Sequence, residues 1–597
     1  MFPWTTHRDM MAAYRADPDG FWLSAARNIA WTRHPEGAAT RRADGWHDWF
    51  AGGWLNSCYN AVDRHVDAGH GDRDALIWHG EAVGATETLT YATLRARVAG
   101  FAGGLRDLGV GKGDRVLVSM PSLPETVIAM LACARLGAIH VVVFGGYAAR
   151  ELAARIDDTT PKVVISATCG FQGRTMVPHM PLLEEALALA AHRPSACVVL
   201  RRPACPVTLR PGRDHDFHAL EHHAPADPVA VRAEDPLYIL HTSGTTGSPK
   251  GVVRDNGGHA VALTLSMELI YGMAPGQVFF TTSDLGWVVG HSYAVYAPLL
   301  AGCTSLFAEG PLDARTILPL CARHRVRILF TTPTSLRLMR RQAADGPLSG
   351  GPDLAAVFVA GERSDPDLLA WAEQGLGRPV LDHWWQTETG WSIAGPCLGL
   401  RDADLTARPG PGFDLHVGAA DGMPAREGEF MLRLPLPPGC LSGIWRGGGA
   451  FPARYLDRTR QFYRTFDVGA LEVDGTVRLT ARVDDVIKVA GRRIASGQLE
   501  DAIAAHPMVG ECAVVGVPSG LRGEIPVAYV VPSVPAATVP GLGAELVALV
   551  RRQVGPFTGL RDVVFVDSLP RTRSGKIVRR ALRDGPPRVE ARAIHAL

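Results

Sequence analysis

The stretch Thr242-Ser-Gly-Thr-Thr-Gly-Ser-Pro-Lys-Gly251 packs anion-binding chemistry into ten residues. Its glycines let backbone N–H groups come close to a negatively charged group, and the hydroxyls of Ser243, Thr245 and Thr246 add donors. Lys250 adds charge. The order is not that of the common phosphate loop GxxxxGK[ST], because Pro249 precedes Lys250 and Gly251 follows it. A Ser/Thr/Gly surface linker would share this composition. The apolar run Leu237–Leu240 directly before it argues instead for a loop held at the end of a buried strand. Lysine usage sharpens the point. Lys and Arg total 61, yet only Lys112, Lys162, Lys250, Lys488 and Lys576 are lysine. A lysine retained in so arginine-rich a chain is more often needed as a compact ammonium, which a planar guanidinium does not replace.

Such groups need a rigid frame, and the sequence supplies one. Thr90 can cap a helix whose apolar positions Tyr91, Leu94, Val98, Phe101, Leu105 and Leu108 recur every three or four residues, and Gly109 stops it. Arg115–Met120 and Ile139–Phe144 read as strands around a helix at Glu125–Leu136, and helix Glu151–Ile156 with strand Lys162–Ser166 repeats the alternation. The rhythm resumes at Leu237–His241, Val278–Thr281, Val326–Phe330 and Ala356–Val359. Strands alternating with helices predict an α/β fold of largely parallel sheets covered by helices. Residues 395–480 are rich in Pro and Gly with short strand-like pieces, predicting a small β-barrel-like subdomain within an N-terminal domain of residues 1–483. Residues 484–597 carry their own core signals, strand Cys512–Val515 and helix Ala544–Val554 among them, and read as a separate α+β domain.

Composition narrows the class. Of 597 residues, 47% are hydrophobic and 20% charged, which suits packed cores, not disorder. A net charge of +1 argues against nucleic-acid or anionic-membrane partners. Ten cysteines lack CxxC pairs and metal spacing, so they read as reduced thiols of a cytoplasmic protein. The N-terminus reads as neither signal nor transit peptide, and no apolar run reaches the roughly 18 residues of a membrane span. His218 and His222 lie one turn apart in a His-rich tract, but the surrounding residues read as a surface helix.

The Thr242–Gly251 loop resembles the phosphate loop of the acyl-adenylate-forming superfamily, and further segments match that family in order. Gly361-Glu362 resembles its adenine-edge turn, with Arg363 following where a proline is common, and Asp382-His-Trp-Trp-Gln-Thr-Glu-Thr-Gly390 resembles its adenine and Mg²⁺ segment. Tyr463-Arg-Thr-Phe-Asp467 is similar to its ribose element, Ala481–Lys488 to its hinge, and Pro570–Lys576 to its C-terminal lysine loop. Trp54–Asn60, Gly290-His-Ser-Tyr293 and Leu434–Gly439 resemble the acetyl/propionyl-CoA synthetase branch, with LDHWWQTETG and FVAGER most like propionyl-CoA synthetases.

The resemblance implies a ligase that joins a small carboxylate to AMP and then to coenzyme A, using ATP and Mg²⁺. Lys576 would reach the carboxylate and α-phosphate, Lys250 with Thr242, Ser243, Gly244, Thr245, Thr246 and Gly247 would hold the outer phosphates, and Glu388 would hold Mg²⁺. Gly361, Glu362, Arg363, Asp382, His383, Trp384, Gln386 and Thr387 would border adenine; Asp467, Arg482 and Arg493 would hold ribose and phosphate. Arg174, Ala490, Gly491 and Arg551 match coenzyme A positions. Asp484 matches the pivot of a mobile C-terminal domain, and His506 a structural cation site of some relatives. Acetylation of Lys576 by a partner acetyltransferase, reversed by a deacetylase, would remove its charge.

For the acid itself, Trp385 matches a wall that limits chain length, and Val288, Val289 and Ala360 would line the same pocket. Ala360 stands where acetate-preferring relatives carry valine. The room gained suits about one methylene, worth about 0.8 kcal/mol. Propionate over acetate, with butyrate tolerated, is the expectation. A carrier-protein loader and an inactive nucleotide-binding module are the competing classes; Phe466, standing in place of the usual glycine of the ribose element, motivates the second.

Overall fold

In a computed structural model the described residues are 2–43, 45–144, 148–242, 250–310, 312–342, 348–362, 364–400, 405–418, 426–446, 455–457, 459–489, 492–519, 523–535, 540–555, 558–571 and 577–583. They form two compact units. The first comprises Met1–Gly361, Pro366–Asp414 and Arg433–Tyr463, the second Glu362–Asp365, Leu415–Leu432 and Arg464–Leu597.

The first unit is α/β. Its strands are β1 (Asp74–Gly80), β2 (Ala85–Thr90), β3 (Arg115–Met120), β4 (Ile139–Phe144), β5 (Val163–Ala167), β6 (Ala196–Leu200), β7 (Asp214–Asp216), β8 (Pro236–Thr242), β9 (Lys250–Asp255), β10 (Val278–Thr281), β11 (Thr304–Glu309), β12 (Val326–Thr331), β13 (Ala356–Val359) and β14 (Val380–Asp382). One sheet has the order β7-β6-β5-β3-β4-β8-β9, ending on the short strand Gly443–Ile444; the other runs β14-β13-β12-β10-β11-β1-β2. Neighbours from β7 to β8 and from β14 to β1 are parallel, whereas β9 and β2 join antiparallel. Parallel strands covered on both faces need continuous apolar runs, which is why Val278–Thr281 and Ala356–Val359 appear with the bounds read from the sequence.

Helix α1 (Tyr91–Asp107) starts at Thr90, whose hydroxyl accepts the Thr93 N–H at 3.2 Å, and gives way to Gly109 at a φ of 83°. Helix α2 (Pro124–Leu136) opens on a proline, where no N–H partner is needed, and closes on left-handed Gly137. Every residue of α2 but Glu125 is buried. Helix α3 (Asn256–Leu269) is capped by Asp255, whose carboxylate accepts the His259 N–H at 3.2 Å.

The β-rich stretch supplies an antiparallel sheet in the order β15 (Leu415–Gly418), β16 (Glu427–Arg433), β17 (Phe462–Leu471) and β18 (Val477–Arg482). Most of that sheet falls in the second unit. There follow β19 (Val486–Val489), β20 (Arg492–Ala495), β21 (Val509–Ser519), β22 (Gly523–Pro532) and β23 (Asp562–Phe565), with helices α4 (Ser496–Ala504) and α5 (Leu542–Gln553). Leu499, Ile503, Leu546 and Val550 of the two helices pack on Val514, Ala528 and Val530 of the sheet. All ten cysteines are free, and eight are buried. No helix among the described residues is long and apolar enough to cross a membrane.

Candidate active site

Strand β9 carries the first group of site residues. Thr242 at the end of β8 faces Lys250 at the start of β9, so the intervening loop is pinned at both ends by a backbone pair. Ser243, Gly244, Thr245, Thr246 and Gly247 lie outside the described residues. The Lys250 ammonium stands 5.8 Å from the centre of the Tyr455 ring, and the Tyr455 hydroxyl donates to Glu388 Oε1 at 2.9 Å. The lysine expected at the outer phosphates and the carboxylate expected at Mg²⁺ thus meet on one tyrosine.

Arg254 lies on the same face of β9 as Lys250, four residues on. It is wholly buried, a costly place for a charge unless every donor is used. Its guanidinium donates to the Glu388 carbonyl at 2.9 Å, to the Thr387 carbonyl and to the Tyr238 hydroxyl at 3.2 Å. One strand therefore presents Lys250 and also fixes the backbone that carries Glu388. Gly390 is required beside it: its φ is 77°, and a Cβ there would stand 2.9 Å from the guanidinium.

The segment around Trp385 is held from behind. Asp382 ends β14, and the Trp384 N–H donates to the Ala394 carbonyl at 2.7 Å. His383 is buried, with Nδ1 at 2.9 Å from the Val359 carbonyl and Nε2 at 2.8 Å from the Tyr271 hydroxyl. The carbonyl can only accept, so Nδ1 carries the hydrogen and Tyr271 donates to Nε2. Burial pushes this imidazole down to about 4. With both nitrogens used, the His383 side chain backs the wall and leaves only its backbone for a nucleotide. Gln386 Oε1 accepts from the Tyr463 hydroxyl at 3.1 Å, and the Tyr463 ring stacks on Tyr455.

The Trp385 indole meets the Tyr293 ring edge-on at 5.6 Å, with Phe330 at 6.1 Å and His383 at 6.2 Å. Tyr293 belongs to the π-helix His291–Tyr296, which continues the turn Val288–Gly290, so Val288 and Val289 lie on the element that braces the wall. Ala360 is buried directly after β13, next to Val359, whose carbonyl holds His383. Gly361 follows at a φ of 91°. Arg363 is outside the described residues, and Glu362, half-buried, groups with the second unit.

In the second unit, Asp467 on β17 faces Arg482 on β18, with Oδ1 3.5 Å from Nη1. Asp467 is 5% exposed. Phe466 has a φ of 59°, left-handed backbone that glycine holds without strain and a phenylalanine does not. Arg464, paired with Glu429 at 2.7 Å, lies over the Phe466 ring at 4.9 Å. The chain thus holds a left-handed, glycine-type backbone position within β17, with a bulky residue stacked under an arginine.

Asp484 sits in the turn Val483–Asp485 between β18 and β19, and Arg493 on β20 pairs through its backbone with Lys488. Ala490, Gly491 and Lys576 lie outside the described residues. The legs of the Lys576 loop are anchored: the Val578 N–H donates to the Pro570 carbonyl at 2.8 Å, Arg571 pairs with Glu511 at 2.7 Å, and Arg579 pairs with Glu500 at 2.8 Å. Arg551 is exposed in the last turn of α5. His506 stands 3.4 Å from Glu545, and no group of three or more His, Cys, Asp or Glu that could hold a metal occurs among the described residues. His218 pairs with Glu221 at 2.9 Å on a short helix. In the first unit, Arg174 is 79% exposed beside Glu81, on a hairpin whose Phe171 N–H donates to Glu309 Oε1 at 3.1 Å. Sequence reading gave no role to Tyr455, Arg254 or Phe330; only Tyr293 carried a signal, inside the Gly290-His-Ser-Tyr293 segment.

The model of the AMP-binding enzyme family matches residues 62–435, which include strands β1 to β14 and the segments that carry Lys250, Trp385 and Glu388. The chain belongs to that family. The family's C-terminal domain model matches residues 498–576, and that of the acetyl-coenzyme A synthetase N-terminus residues 7–61. Acyl-CoA synthetase short-chain family member 3, a mitochondrial protein of Homo sapiens, is 43% identical over 96% of this chain and 87% of its own. Propionate–CoA ligase of Salmonella typhimurium is 39% identical over 95% of this chain and 93% of its own. The acetoacetyl-CoA synthetase of Streptomyces lividans superposes with a TM-score of 0.84 at 23% identity, covering 96% and 89% of the two chains, which shows the fold. This AMP-binding enzyme is an AMP-forming CoA ligase of the short-chain acyl-CoA synthetase group.

Proposed function

We propose that this ligase activates propionate first among small acids, forming propionyl-AMP and pyrophosphate from ATP and then propionyl-CoA and AMP. A carboxylate oxygen attacks the α-phosphorus and the pyrophosphate oxygen leaves; the coenzyme A thiolate then attacks the acyl carbon and AMP leaves. In-line transfer at phosphorus needs fixed geometry and neutralised charge more than covalent help. Lys250 and Glu388, meeting at Tyr455 with Arg254 fixing the Glu388 backbone, are the observation that carries this reading. Lys576 would neutralise charge on the carboxylate and α-phosphate, and Asp467 would accept hydrogen bonds from the ribose hydroxyls.

Glu388 suits magnesium. It is half-buried, spends one acceptor site on Tyr455 and keeps the remaining lone pairs for a hard cation. Bound there with ATP, the ion would neutralise charge on the phosphates. Reversible acetylation of Lys576 would switch off the first step, and a cytoplasmic setting fits the free thiols.

The choice of acid rests on Trp385, closed in by Tyr293, Phe330 and His383, and on the small Ala360. A panel of C2 to C6 acids with ATP and coenzyme A, read as AMP release, tests it. The expected order of kcat/KM is propionate, butyrate, acetate, with hexanoate inactive. An equal or higher kcat/KM for acetate would overturn the preference.

A further inference from the structure

The turn and helix that carry Val288, Val289 and Tyr293 are tied down by a pair of buried imidazoles that no step of the reaction uses. We propose that His140 is a positioning residue for the acyl pocket, acting through His291 to set chain-length selectivity; this rests on the acid-activating reading above.

His291 opens the π-helix His291–Tyr296 and is 0% exposed. Its Nδ1 lies 3.2 Å from the Leu285 carbonyl, and its Nε2 lies 3.0 Å from Nε2 of His140, itself 0% exposed on β4. These partners fix the hydrogens. A carbonyl only accepts, so His291 carries its hydrogen on Nδ1. A neutral imidazole then has a bare Nε2, which must accept, so His140 carries its hydrogen on Nε2. His140 Nδ1 is left bare, buried and without a partner among the described residues. Burial holds both rings neutral, pushing His291 down to about 3 and His140 well below the ordinary histidine value. A charged ring would also bring a hydrogen that has no acceptor.

The surroundings keep this chain of hydrogen bonds dry and oriented. The two ring planes lie within 7° of each other, the Tyr238 ring stands 4.2 Å from that of His291, and the Tyr296 hydroxyl lies 3.3 Å from His140 Nε2. Through His291 the chain closes back over Trp287, Val288 and Val289 to the Leu285 carbonyl, and through His140 it anchors that closed turn to the central strand β4. Tyr293, two residues past His291, presses its ring edge on Trp385. π-helical turns recur at functional sites, and this one carries the aromatic brace Tyr293 and follows directly on the turn that carries Val288 and Val289. Removing the His140 donor leaves the His291 lone pair unpaired where no water reaches it, so the turn must shift to satisfy it.

The test compares His140→Gln, whose amide nitrogen reaches about as far as Nε2, with His140→Asn, which reaches only to Nδ1, and with His140→Phe, which keeps ring size alone. Acid and ATP kinetics are measured on each. His140→Asn and His140→Phe are expected to raise the propionate KM about tenfold, the scale of one unpaired buried polar group, and to flatten the propionate-to-butyrate ratio. The ATP KM should stay put, and His140→Gln should restore the parental profile. Equal behaviour of Gln and Asn, an ATP KM rising by the same factor, or unchanged selectivity in His140→Phe would overturn the proposal. If His140→Phe does not fold, the Gln and Asn pair decides alone. Tautomer-selective ¹⁵N histidine spectra of the unmutated protein give a second reading: hydrogen on Nε2 of His140 and Nδ1 of His291 supports the chain, and the reverse overturns it. A parent that activates no acid of the panel would sink the proposed function; a propionate-selective parent with His140→Asn unaltered would sink only this inference.

Discussion

The acid end and the nucleotide end of the candidate site are built from opposite materials. Around Trp385 stand Tyr293, Phe330 and neutral His383, and nothing charged is among these ring contacts. Around Glu388, in the first unit, stand Tyr455, Lys250 and Arg254, and within the second unit Asp467 faces Arg482. Recognition at the first is a matter of fit, where one methylene discriminates by about 1–3 kcal/mol. At the second it is charge placed in advance, where a lost donor costs about 10²–10³-fold in rate. On the proposed reading, the reaction type would be set by these few charged groups and the choice of acid by side chains that can be resized one methyl at a time.

Substitutions can break this contrast or sharpen it. Lys576→Ala should lower acyl-adenylate formation by about 10²–10³-fold while thioester formation from supplied propionyl-AMP persists. Parallel loss of both half-reactions would place the lysine outside the first step alone. Next, Asp467→Asn should raise the ATP KM by about tenfold or more, the loss of hydrogen bonds to a charged acceptor, and leave the order of acids untouched. A changed acid order would blur the two ends. Ala360→Val should swing the acetate-to-propionate ratio by about fourfold toward acetate, one methylene's worth of burial, and Trp385→Gly should admit hexanoate. No gain on hexanoate would remove Trp385 from the wall.

The smallest effect concerns stability. His259 is buried against Tyr238 and Tyr296, with neither ring nitrogen partnered among the described residues, and burial holds it well below the ordinary histidine value. The unfolded chain therefore binds a proton that the folded one refuses, so stability is present above about pH 6.5 and is lost as the pH falls below it. His259→Phe should show a shallower loss of urea midpoint between pH 7.5 and 5 than the parent. Identical slopes would contradict the burial argument.

The frame of the first unit was legible because buried parallel strands leave an unbroken apolar signature: Arg115–Met120, Ile139–Phe144 and Val278–Thr281 stand where the sequence placed them. Pairing was not legible. Nothing local tells that β9 runs antiparallel to β8 or that Thr242 faces Lys250. The small sheet was blurred in sequence: residues 395–480 showed only short strand-like pieces among Pro and Gly, without the bounds of Phe462–Leu471 or Val477–Arg482. Within the site, Glu388, Asp467 and Trp385 carried motif signals. Tyr455 sits in no motif, Arg254 looks like one arginine among many, and His140 meets His291 across 151 residues of chain. Phe466 read as a departure from glycine, and its left-handed φ with Arg464 above the ring gives that departure a physical form.

Exchange of radiolabelled pyrophosphate into ATP tests the central claim most directly, because only a reversible acyl-adenylate links the two. Exchange that appears when propionate is added, without coenzyme A, is the expected result. No exchange with any acid from C2 to C6, or exchange at the same rate without acid, would contradict the account.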